Sequence, residues 1–514
     1  MRQILDNVNI FMSRLSSLRG EARALHHARF ARPHELQSLI THSLDEEALL
    51  IGRTHLGGIY RVRKTPNRRE LGNMMVIAPP RSGKSQLGKN QLLTWPHSVV
   101  AVDLKGELYQ DSGGFRSTLG PVYVIDLRGF GHQYDPFRGL TKEESLYDAA
   151  KNILYDPHEG NGRSFTEWGI LLEVLKWQAC LELNRKTGAN YRLLPFTRWL
   201  AKLGINSAAR AIHAISPQIA QELLDGEYEE EGDYRENRYF ANSWQSSRAR
   251  MFPLLTETVV RCFNGSDFTG RDIIAGERPV SVYLRVPQGM LSSKAPVIRL
   301  LLESLMTEMF AIADEPNGAV CRPVLMLLDE AGTVGFQKLP EYAATAAGRG
   351  VSLWLALQDI GQLERYGAYQ ARAIRNSMAA KVFFHQNAPA TAKHIEELSG
   401  YMSGYSHSET LRDGEVASQG RSETAVALFP MRDSMELEKE DIIFFLDNHK
   451  PGRGKSMAPW HFPLLEKRSA IPPPPVKELP PVPEIVLPPS LQSPSFQERG
   501  TGYPRFPIDP DDFN

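Results

Sequence analysis

The sequence predicts an α/β fold, in which helices cover both faces of a doubly wound, mostly parallel sheet and an all-α insertion interrupts the sheet. The first observation is a series of near-continuous apolar runs, which are typical of strands buried on both faces. These runs occupy residues 74–77, 98–104, 122–127, 280–286, 323–328, 351–357 and 379–385. The second observation is that helical segments separate the runs, as in a sheet wound by successive crossovers. The third is the stretch 141–258, which has helical periodicity and lacks alternating strands.

Composition limits the class of protein without identifying it. The 514 residues are 42% hydrophobic and 23% charged, and the formal net charge of -1 excludes a chain-wide basic field. A nucleic-acid site would therefore have to be local. Cys180, Cys262 and Cys321 lie far apart without metal or redox spacing, which indicates a reducing compartment. The sequence contains no apolar run long enough to cross a bilayer.

The predicted regions follow the chain in order. They are a basic amphipathic helical region at 1–48, the first part of the sheet domain at 49–140, the all-α insertion at 141–258, the second part of the sheet domain at 259–450, and a Pro-rich tail at 451–514. The helix predicted over 1–45 has apolar residues at spacings of three or four and several arginines, so it suits an anionic membrane, a partner, or its own domain. Within 49–69, Gly57-Gly58 predicts a hairpin. The tail predicts an extended, disordered segment that serves as a linker or a partner-recognition motif.

The segment from Leu71 to Ser85 has the order of a phosphate-binding loop. An apolar strand leads into Ala78-Pro79-Pro80-Arg81-Ser82-Gly83, and a helix is predicted to start near Lys84. Backbone N–H groups and a helix N-terminus in this order bind phosphate chains, with Lys84 on the terminal phosphates and the Ser85 hydroxyl on Mg²⁺. Ala78 replaces the usual first glycine, which alanine can do if its φ is negative. The alternative is an ordinary turn between a strand and a helix.

Carboxylates close several of the apolar runs. Asp103 and Asp126 each end a strand, at the edge where α/β sheets bind ligands, although an aspartate there also suits a helix N-cap. Asp329 and Glu330 end the run at 323–328, which is the arrangement in which one carboxylate supports Mg²⁺ and the next polarises the attacking water. Gln358 ends the following run and could sense the terminal phosphate or simply cap its strand.

With these motifs placed, residues 49–450 resemble the coupling-protein ATPases of type IV secretion and conjugative DNA transfer, the TraG/TraD-like group. The resemblance rests on the loop at 78–85, Asp103-Leu104-Lys105-Gly106-Glu107, Tyr134-Asp135-Pro136-Phe137, Leu327-Leu328-Asp329-Glu330, Gly348-Arg349-Gly350, Leu357-Gln358-Asp359 and Gln362-Leu363. It implies a RecA-like P-loop ATPase that assembles as a homo-hexamer and uses ATP and Mg²⁺.

The resemblance also implies roles for individual residues. Lys84, Glu330, Arg349 and Gln358 would be catalytic, residues 78–85 would bind the nucleotide, Ser85 and Asp329 would hold Mg²⁺, and Asp103 and Lys105 would be auxiliary. Arg349 matches the position of an arginine finger that reaches into a neighbouring subunit, and the alternative is an ordinary surface arginine. Lys105, Arg128, Arg138 and Lys338 are candidates for DNA contacts or solvated surface charges.

The implied partners are single-stranded DNA in a relaxase–DNA complex and the components of a secretion channel. Relatives commonly carry N-terminal transmembrane helices, which this sequence lacks. We therefore expect a cytoplasmic protein, or one that a separate membrane-anchoring subunit holds at the cytoplasmic face of the inner membrane. Two other functions remain open, a HerA/FtsK-type translocase of duplex DNA and a nucleotide-binding docking adaptor for secreted proteins.

Overall fold

The computed structural model describes residues 27–44, 46–64, 70–154, 163–224, 229, 232–316, 321–334, 337–412 and 415–491. The strands are β1 (Ile40–Thr41), β2 (Ala48–Arg53), β3 (Ile59–Arg63), β4 (Asn73–Ile77), β5 (Ser98–Asp103), β6 (Val122–Asp126), β7 (Phe130–Gly131), β8 (Ser281–Arg285), β9 (Val324–Leu328), β10 (Val351–Leu357), β11 (Met378–Phe383), β12 (Tyr401–Arg412), β13 (Glu415–Ala427), β14 (Asp441–Leu446) and β15 (Gly452–Lys455).

The helices are α1 (Pro33–Leu36), α2 (Lys84–Thr94), α3 (Glu107–Leu119), α4 (Glu143–Leu154), α5 (Arg163–Thr187), α6 (Leu193–Leu203), α7 (Ile205–Ile215), α8 (Pro217–Leu223), α9 (Arg238–Met251), α10 (Glu257–Cys262), α11 (Gly270–Ala275), α12 (Leu291–Ala313), α13 (Ala331–Val334), α14 (Leu339–Thr345), α15 (Ala368–Asn376), α16 (Pro389–Ser399), α17 (Met431–Met435) and α18 (Pro463–Ser469). No helix in these described ranges combines the length and apolar character needed to cross a bilayer.

The main sheet has a parallel centre with antiparallel additions. Its strand order is β1-β3-β2-β15-β14-β11-β4-β10-β9-β5-β8-β6-β7, and the pairs from β11 to β8 are parallel. Every residue of β4, β5, β9 and β10 is buried, as expected of strands that helices cover on both faces. The predicted α/β class with a mostly parallel sheet is thus confirmed. The predicted hairpin is also present, as the antiparallel pair β2 and β3.

The described residues divide into two compact units. The first comprises those within 1–124, 270–292 and 306–475, and it contains the parallel strands. The second comprises those within 125–269, 293–305 and 476–514 and contains α4 to α10. This helical unit is larger than the predicted insertion at 141–258, because flanking residues pack into it. Tyr134 stacks on Phe268 with ring centroids 5.2 Å apart, and the Ser304 hydroxyl of α12 donates to the Pro136 carbonyl at 2.8 Å.

The helix predicted over 1–45 is wrong where the structure describes this region. Residues 27–44 contain only the four-residue α1 and the short β1, which pairs with β3 through Ile40 and Thr41. Pro33 begins α1, and the pairing of β1 with a distant strand then outweighs the local helical periodicity. Residues 1–26, which carry most of the predicted helix, lie outside the described residues.

The disordered tail predicted from 451 is also wrong as far as residue 491. β15 pairs with β14 and β2, and α18 follows it. The Pro-rich segment then packs within each unit: in the first, the Tyr109 hydroxyl donates to the Pro474 carbonyl, and in the second, the Gly131 N–H donates to the Lys477 carbonyl at 2.7 Å. Proline lacks an N–H group but keeps its carbonyl acceptor, so an extended proline segment can still be fixed by donors around it.

Candidate functional site

The loop between β4 and α2 has the local geometry that an anion requires. The Ala78 N–H donates to the Leu357 carbonyl at 3.0 Å, so the loop leaves the sheet where β4 and β10 end together. Gly83, at φ 99°, takes the left-handed conformation directly before α2. The first turn of α2 contains no acidic residue, and its N-cap residue, Gly83, has no side chain that could accept from the N-terminal amides. Such an N-terminus is suited to binding a phosphate.

The positive φ angles of this loop fall at Arg81 and Gly83, and not at Ala78. Arg81 has φ 66°, and in the part of the chain that the structure describes Asp447 is the only other non-glycine residue with a positive φ. A β-carbon at position 78 therefore causes no backbone strain, so alanine can replace the usual first glycine of a phosphate-binding loop here. The strained residue is an arginine at the exposed tip of the loop, and strain of this kind concentrates at ligand sites.

Lys84, Glu330 and Gln358 form one hydrogen-bonded group. The Lys84 ammonium donates to Glu330 Oε2 at 3.0 Å, and the Gln358 amide donates to Glu330 Oε1 at 2.8 Å. Lys84 is buried at the start of α2, whereas Glu330 and Gln358 follow β9 and β10. Because β4, β10 and β9 are parallel neighbours, their carboxyl ends meet at one edge and bring these three side chains together. Both oxygens of the Glu330 carboxylate are thereby fixed.

Ser85 and Asp329 lie beside this group and supply a hydroxyl and a carboxylate of the kind that bind divalent cations. The Ser85 hydroxyl donates to Asp329 Oδ2 at 2.9 Å, while Asp329 Oδ1 is buried without a hydrogen-bond partner among the described residues. Burial raises the pKa of Asp329 to about 6, although the Lys84 charge and the bond from Ser85 act in the opposite direction. Within the described ranges no three His, Cys, Asp or Glu side chains form a complete metal cage. One carboxylate and one hydroxyl fit Mg²⁺, which usually takes its other ligands from phosphates and water.

Asp103 and Lys105 differ in their relation to this site. Asp103 extends β5 next to Asp329, because Val102 pairs with Leu328. Its buried carboxylate accepts the Tyr109 N–H at 2.8 Å and so satisfies a donor in the first turn of α3, although the N-cap residue of that helix is Gly106 and not Asp103. Burial raises the pKa of Asp103, and the backbone donors of α3 oppose that shift. Lys105 is exposed, and no hydrogen bond or ion pair joins it to another described residue.

Arg349 lies at the other end of β10. It precedes Val351, the first residue of the strand, while Gln358 follows the last, so about 20 Å of strand separates the two at ~3.3 Å per residue. The Arg349 Nε donates to Asp314 Oδ1 at 2.9 Å, and its guanidinium lies 4.8 Å from the centre of the Phe310 ring. The structure therefore does not bring Arg349 to Lys84 within one chain.

A basic cavity adjoins the loop. It has a volume of about 300 Å³ and is lined by Pro80, Arg81, His385, Leu437 and Lys439. Two of these five side chains, those of Arg81 and Lys439, are cationic, which favours an anionic ligand. Among the other charges considered from the sequence, Arg128 is bonded to the Asp126 carboxylate at 2.6 Å, so both have a structural partner within the second unit.

Two residues without a role in the sequence prediction contact this edge of the sheet. Gln362 accepts the Gln358 N–H through Oε1 at 2.8 Å. Arg285 pairs with Asp103 in the register of β5 and β8 and lies 5.6 Å from the centre of the Tyr109 ring. The signal for Arg285 was a charged residue closing an apolar strand. For Gln362 the available signal was its place in the resemblance to known proteins, which assigned it no function.

The protein thus has an α/β sheet with a candidate anion site at the carboxyl ends of its parallel strands. That site consists of the loop before α2, the Lys84 ammonium and the carboxylates of Asp329 and Glu330. A sequence profile of the family described as "Type IV secretory system Conjugative DNA transfer" matches residues 37–156 and 227–469, which is more than half of the chain. The chain belongs to this family.

Relatives with curated names agree with this assignment. The chain is 23% identical over 465 residues to a conjugal transfer protein TraG from Escherichia coli, an alignment that covers 79% of the chain and 70% of TraG. A second Escherichia coli TraG is 25% identical over 365 residues, covering 64% and 55% of the two sequences. Protein VirD4 from Rhizobium radiobacter is 25% identical over 352 residues, covering 64% and 48%. The chain thus spans about half the length of the latter two relatives.

Solved structures of the bacterial conjugative coupling protein TrwB have a similar fold. The unbound TrwBdeltaN70 superposes with a TM-score of 0.61 at 14% identity, covering 84% of this chain and 92% of TrwB. TrwB in complex with the non-hydrolysable ATP analogue ADPNP gives a TM-score of 0.61 at 14% identity, covering 85% and 94%. TrwB with ADP and Mg²⁺ gives 0.56 at 15% identity, covering 84% and 94%. At these identities the likeness establishes the fold.

Proposed function

We propose that this protein is the ATP-hydrolysing coupling protein of a type IV secretion or conjugation system, which brings single-stranded DNA or a DNA–protein substrate to the transfer channel. The observation that carries the proposal is the bonded group of Lys84, Glu330 and Gln358 beside Ser85 and Asp329, in a chain of the conjugative DNA transfer family. The complexes of TrwB with ADPNP and with ADP and Mg²⁺ support ATP and Mg²⁺ as the ligands.

The residues of the site divide the work of binding and hydrolysis. The loop amides and Lys84 would bind the phosphates, and Ser85 and Asp329 would hold Mg²⁺, which neutralises charge on the phosphate oxygens when it is bound. Glu330 would accept a proton from the attacking water. Gln358 would orient Glu330, to which it already donates a hydrogen bond.

Lys84 has two competing anionic partners in this proposal. One is Glu330, whose Oε2 accepts from the Lys84 ammonium at 3.0 Å, and the other would be the phosphate chain. A phosphate chain in the loop would draw the ammonium away, because phosphate carries more negative charge at short range than one carboxylate. Glu330 would then be held by Gln358 alone. Nucleotide binding would in this way release the carboxylate that the hydrolysis step needs.

Arg349 would contribute to hydrolysis only in an oligomer. Because it lies at the opposite end of β10 from Gln358, it would act in the site of a neighbouring subunit, as an arginine finger in a homo-hexamer. A guanidinium supplied from outside stabilises charge on the transferring phosphoryl group and couples hydrolysis to the movement of the neighbour. A separate membrane-anchoring subunit would hold the assembly at the cytoplasmic face of the inner membrane.

The decisive experiment measures ATP turnover of the purified protein with no DNA, single-stranded DNA or duplex DNA, at low and physiological salt. The oligomeric state is recorded in each condition. We expect strong stimulation by single strands together with ring assembly, and a stimulation that falls with salt because phosphate contacts release counterions. A preference for duplex would replace the proposal with a duplex translocase. Nucleotide binding without a DNA response in assembled protein would replace it with a docking adaptor.

A further inference from the structure

The segment after Gln358 folds back onto the segment after Glu330. Residues Ile360–Tyr366 form a 3-10 helix, and its Gln362 side chain accepts the backbone N–H of Gln358 at 2.8 Å. The Arg365 guanidinium donates to the Gly332 carbonyl, which lies two residues beyond Glu330. The loops that follow β9 and β10 are thus joined by side chains of the 3-10 helix, in addition to the direct bond between Gln358 and Glu330.

Gly332 provides the space that Gln362 occupies. A β-carbon built at Gly332 would lie 2.3 Å from both Cδ and Oε1 of Gln362, closer than any real contact. Gly332 is not among the glycines with positive φ, so a side chain at this position would strain no backbone torsion but would displace the flexible end of Gln362. The Gln362 side chain therefore lies directly against the backbone of Gly332.

We propose that Gln362 is a positioning residue of the hydrolytic site, which fixes Gln358 and through it Glu330. The inference rests on the proposed function, since it concerns the same carboxylate. If a phosphate binds the Lys84 ammonium, the remaining partner of Glu330 is Gln358, and the backbone N–H of Gln358 donates to the side-chain Oε1 of Gln362. A rotation of Gln358 would therefore change the direction of the Glu330 carboxylate without changing the phosphate-binding loop.

Other contacts keep the 3-10 helix in place when the Gln362 amide is altered. Leu363 is buried, and the Ile360 N–H donates to the Thr391 hydroxyl at 3.2 Å. Gln362 itself is only partly buried. A variant that keeps its shape and loses its acceptor should accordingly remain folded, so that the consequence for the site can be measured separately from stability.

The test compares Gln362→Met, which has a similar shape without the acceptor, with Gln362→Glu, which retains it, and with the exposed control Gln370→Met on α15. We expect kcat of Gln362→Met to fall about tenfold or more, as small misplacements of catalytic groups do, with KM for ATP within about twofold. Gln362→Glu should recover most of the rate, and Gln370→Met should equal wild type. Adding Gln362→Met to Gln358→Ala should cause no further loss, because the first acts through the second.

A second measurement is independent of ATP turnover. Hydrogen exchange of the peptide containing the Gln358 amide should accelerate in Gln362→Met and in Gly332→Ala, which displaces the side chain, and should stay slow in Gln362→Glu. Unchanged exchange in Gln362→Met would overturn the inference, as would an additive loss in the double variant. An inactive wild type with the expected exchange pattern would instead reject the proposed function and leave the anchoring of Gln358 supported.

Discussion

The two ends of β10 carry charged pairs in opposite settings. At the carboxyl end the side chains of Lys84 and Glu330 are 10% and 17% exposed, and Glu330 has a second partner in Gln358. At the amino end those of Arg349 and Asp314 are 32% and 54% exposed. An exposed pair contributes about 0–1 kcal/mol, whereas removing one member of a buried pair leaves a charge without compensation. Lys84 and Glu330 therefore form a pair whose disruption within one chain is costly. Arg349 can leave Asp314 for another anionic partner at little cost in free energy.

The largest effect should follow Lys84→Ala. The variant loses the ammonium that would bind phosphate and leaves the partly buried Glu330 carboxylate without its cation. We expect ATP turnover to fall by about a thousandfold or more, and nucleotide affinity to fall with it. Lys202→Ala, at an exposed position on α6, is the control and should retain its rate. A Lys84→Ala protein with a tenth of the wild-type turnover would contradict the assignment.

Glu330→Gln separates binding from chemistry at the same end. The amide keeps the size and the bond to Gln358 but cannot accept a proton from water. We expect turnover to fall about 10²–10⁴-fold with nucleotide affinity preserved, and an assembled oligomer to accumulate with ATP. Rapid-quench turnover and equilibrium binding would measure both. Near-normal hydrolysis in this variant would mean that another group activates the water.

Arg349→Ala tests the residue at the amino end of β10. We expect nucleotide affinity within about twofold and turnover at least about tenfold lower, since a finger acts on the transition state. Mixing this variant with Lys84→Ala sharpens the test. Mixed oligomers would contain sites with an intact Lys84 beside a neighbour with an intact Arg349, so activity should partly return. Absence of recovery in verified mixed assemblies would argue that Arg349 does not act across an interface.

Ser85→Ala should have a smaller effect, which is confined to the dependence of turnover on Mg²⁺. The variant removes the hydroxyl beside Asp329 while leaving Lys84 and Glu330 in place. We expect the Mg²⁺ concentration for half-maximal turnover to rise about tenfold, in proportion to one lost ligand. Ser85→Thr keeps a hydroxyl and should behave as wild type. An unchanged Mg²⁺ titration in Ser85→Ala would remove Ser85 from the metal site.

The smallest effect should come from Asp314→Ala. It removes the present partner of Arg349 and leaves the guanidinium in the protein. Because the pair is exposed, the free energy of unfolding should fall by less than about 1 kcal/mol, and turnover should stay within about twofold. Chemical denaturation gives the first value. A loss of activity equal to that of Arg349→Ala would show that Asp314 is needed to orient the arginine.

The sequence was sufficient for the parts of the fold and site that follow from burial and strand direction. Apolar runs predicted β4, β9 and β10 because helices cover both their faces, and the polar residues that close them meet because parallel strands end at one edge. That rule brings Lys84, Glu330 and Gln358 together. The roles assigned to these residues remain predictions until turnover is measured.

Contacts that depend on the three-dimensional course of the chain could not be read from local pattern. Gln362 is only four residues from Gln358 but reaches it through the geometry of a 3-10 helix, and β1 exists only because β3 lies beside it. The Pro-rich tail was misjudged for a related reason. Its composition indicates disorder, but composition does not reveal that α3 presents a surface on which an extended chain fits. For β1 and for the tail, the deciding partner lies far away in sequence.

The packing of residues 471–474 on α3 restricts how this part of the protein can evolve. A β-carbon at Gly114 would lie 2.0 Å from the Ile471 carbonyl oxygen, whereas one at Gly113 would lie 2.8 Å from the Tyr109 ring and 3.2 Å from Pro473. A glycine inside a helix costs about 0.5–1 kcal/mol relative to alanine, and at Gly114 the backbone of the proline segment leaves no space for a side chain. The C-terminal segment and α3 should therefore be inherited together, and a chimera that exchanges the segment with that of a relative would need the matching helix.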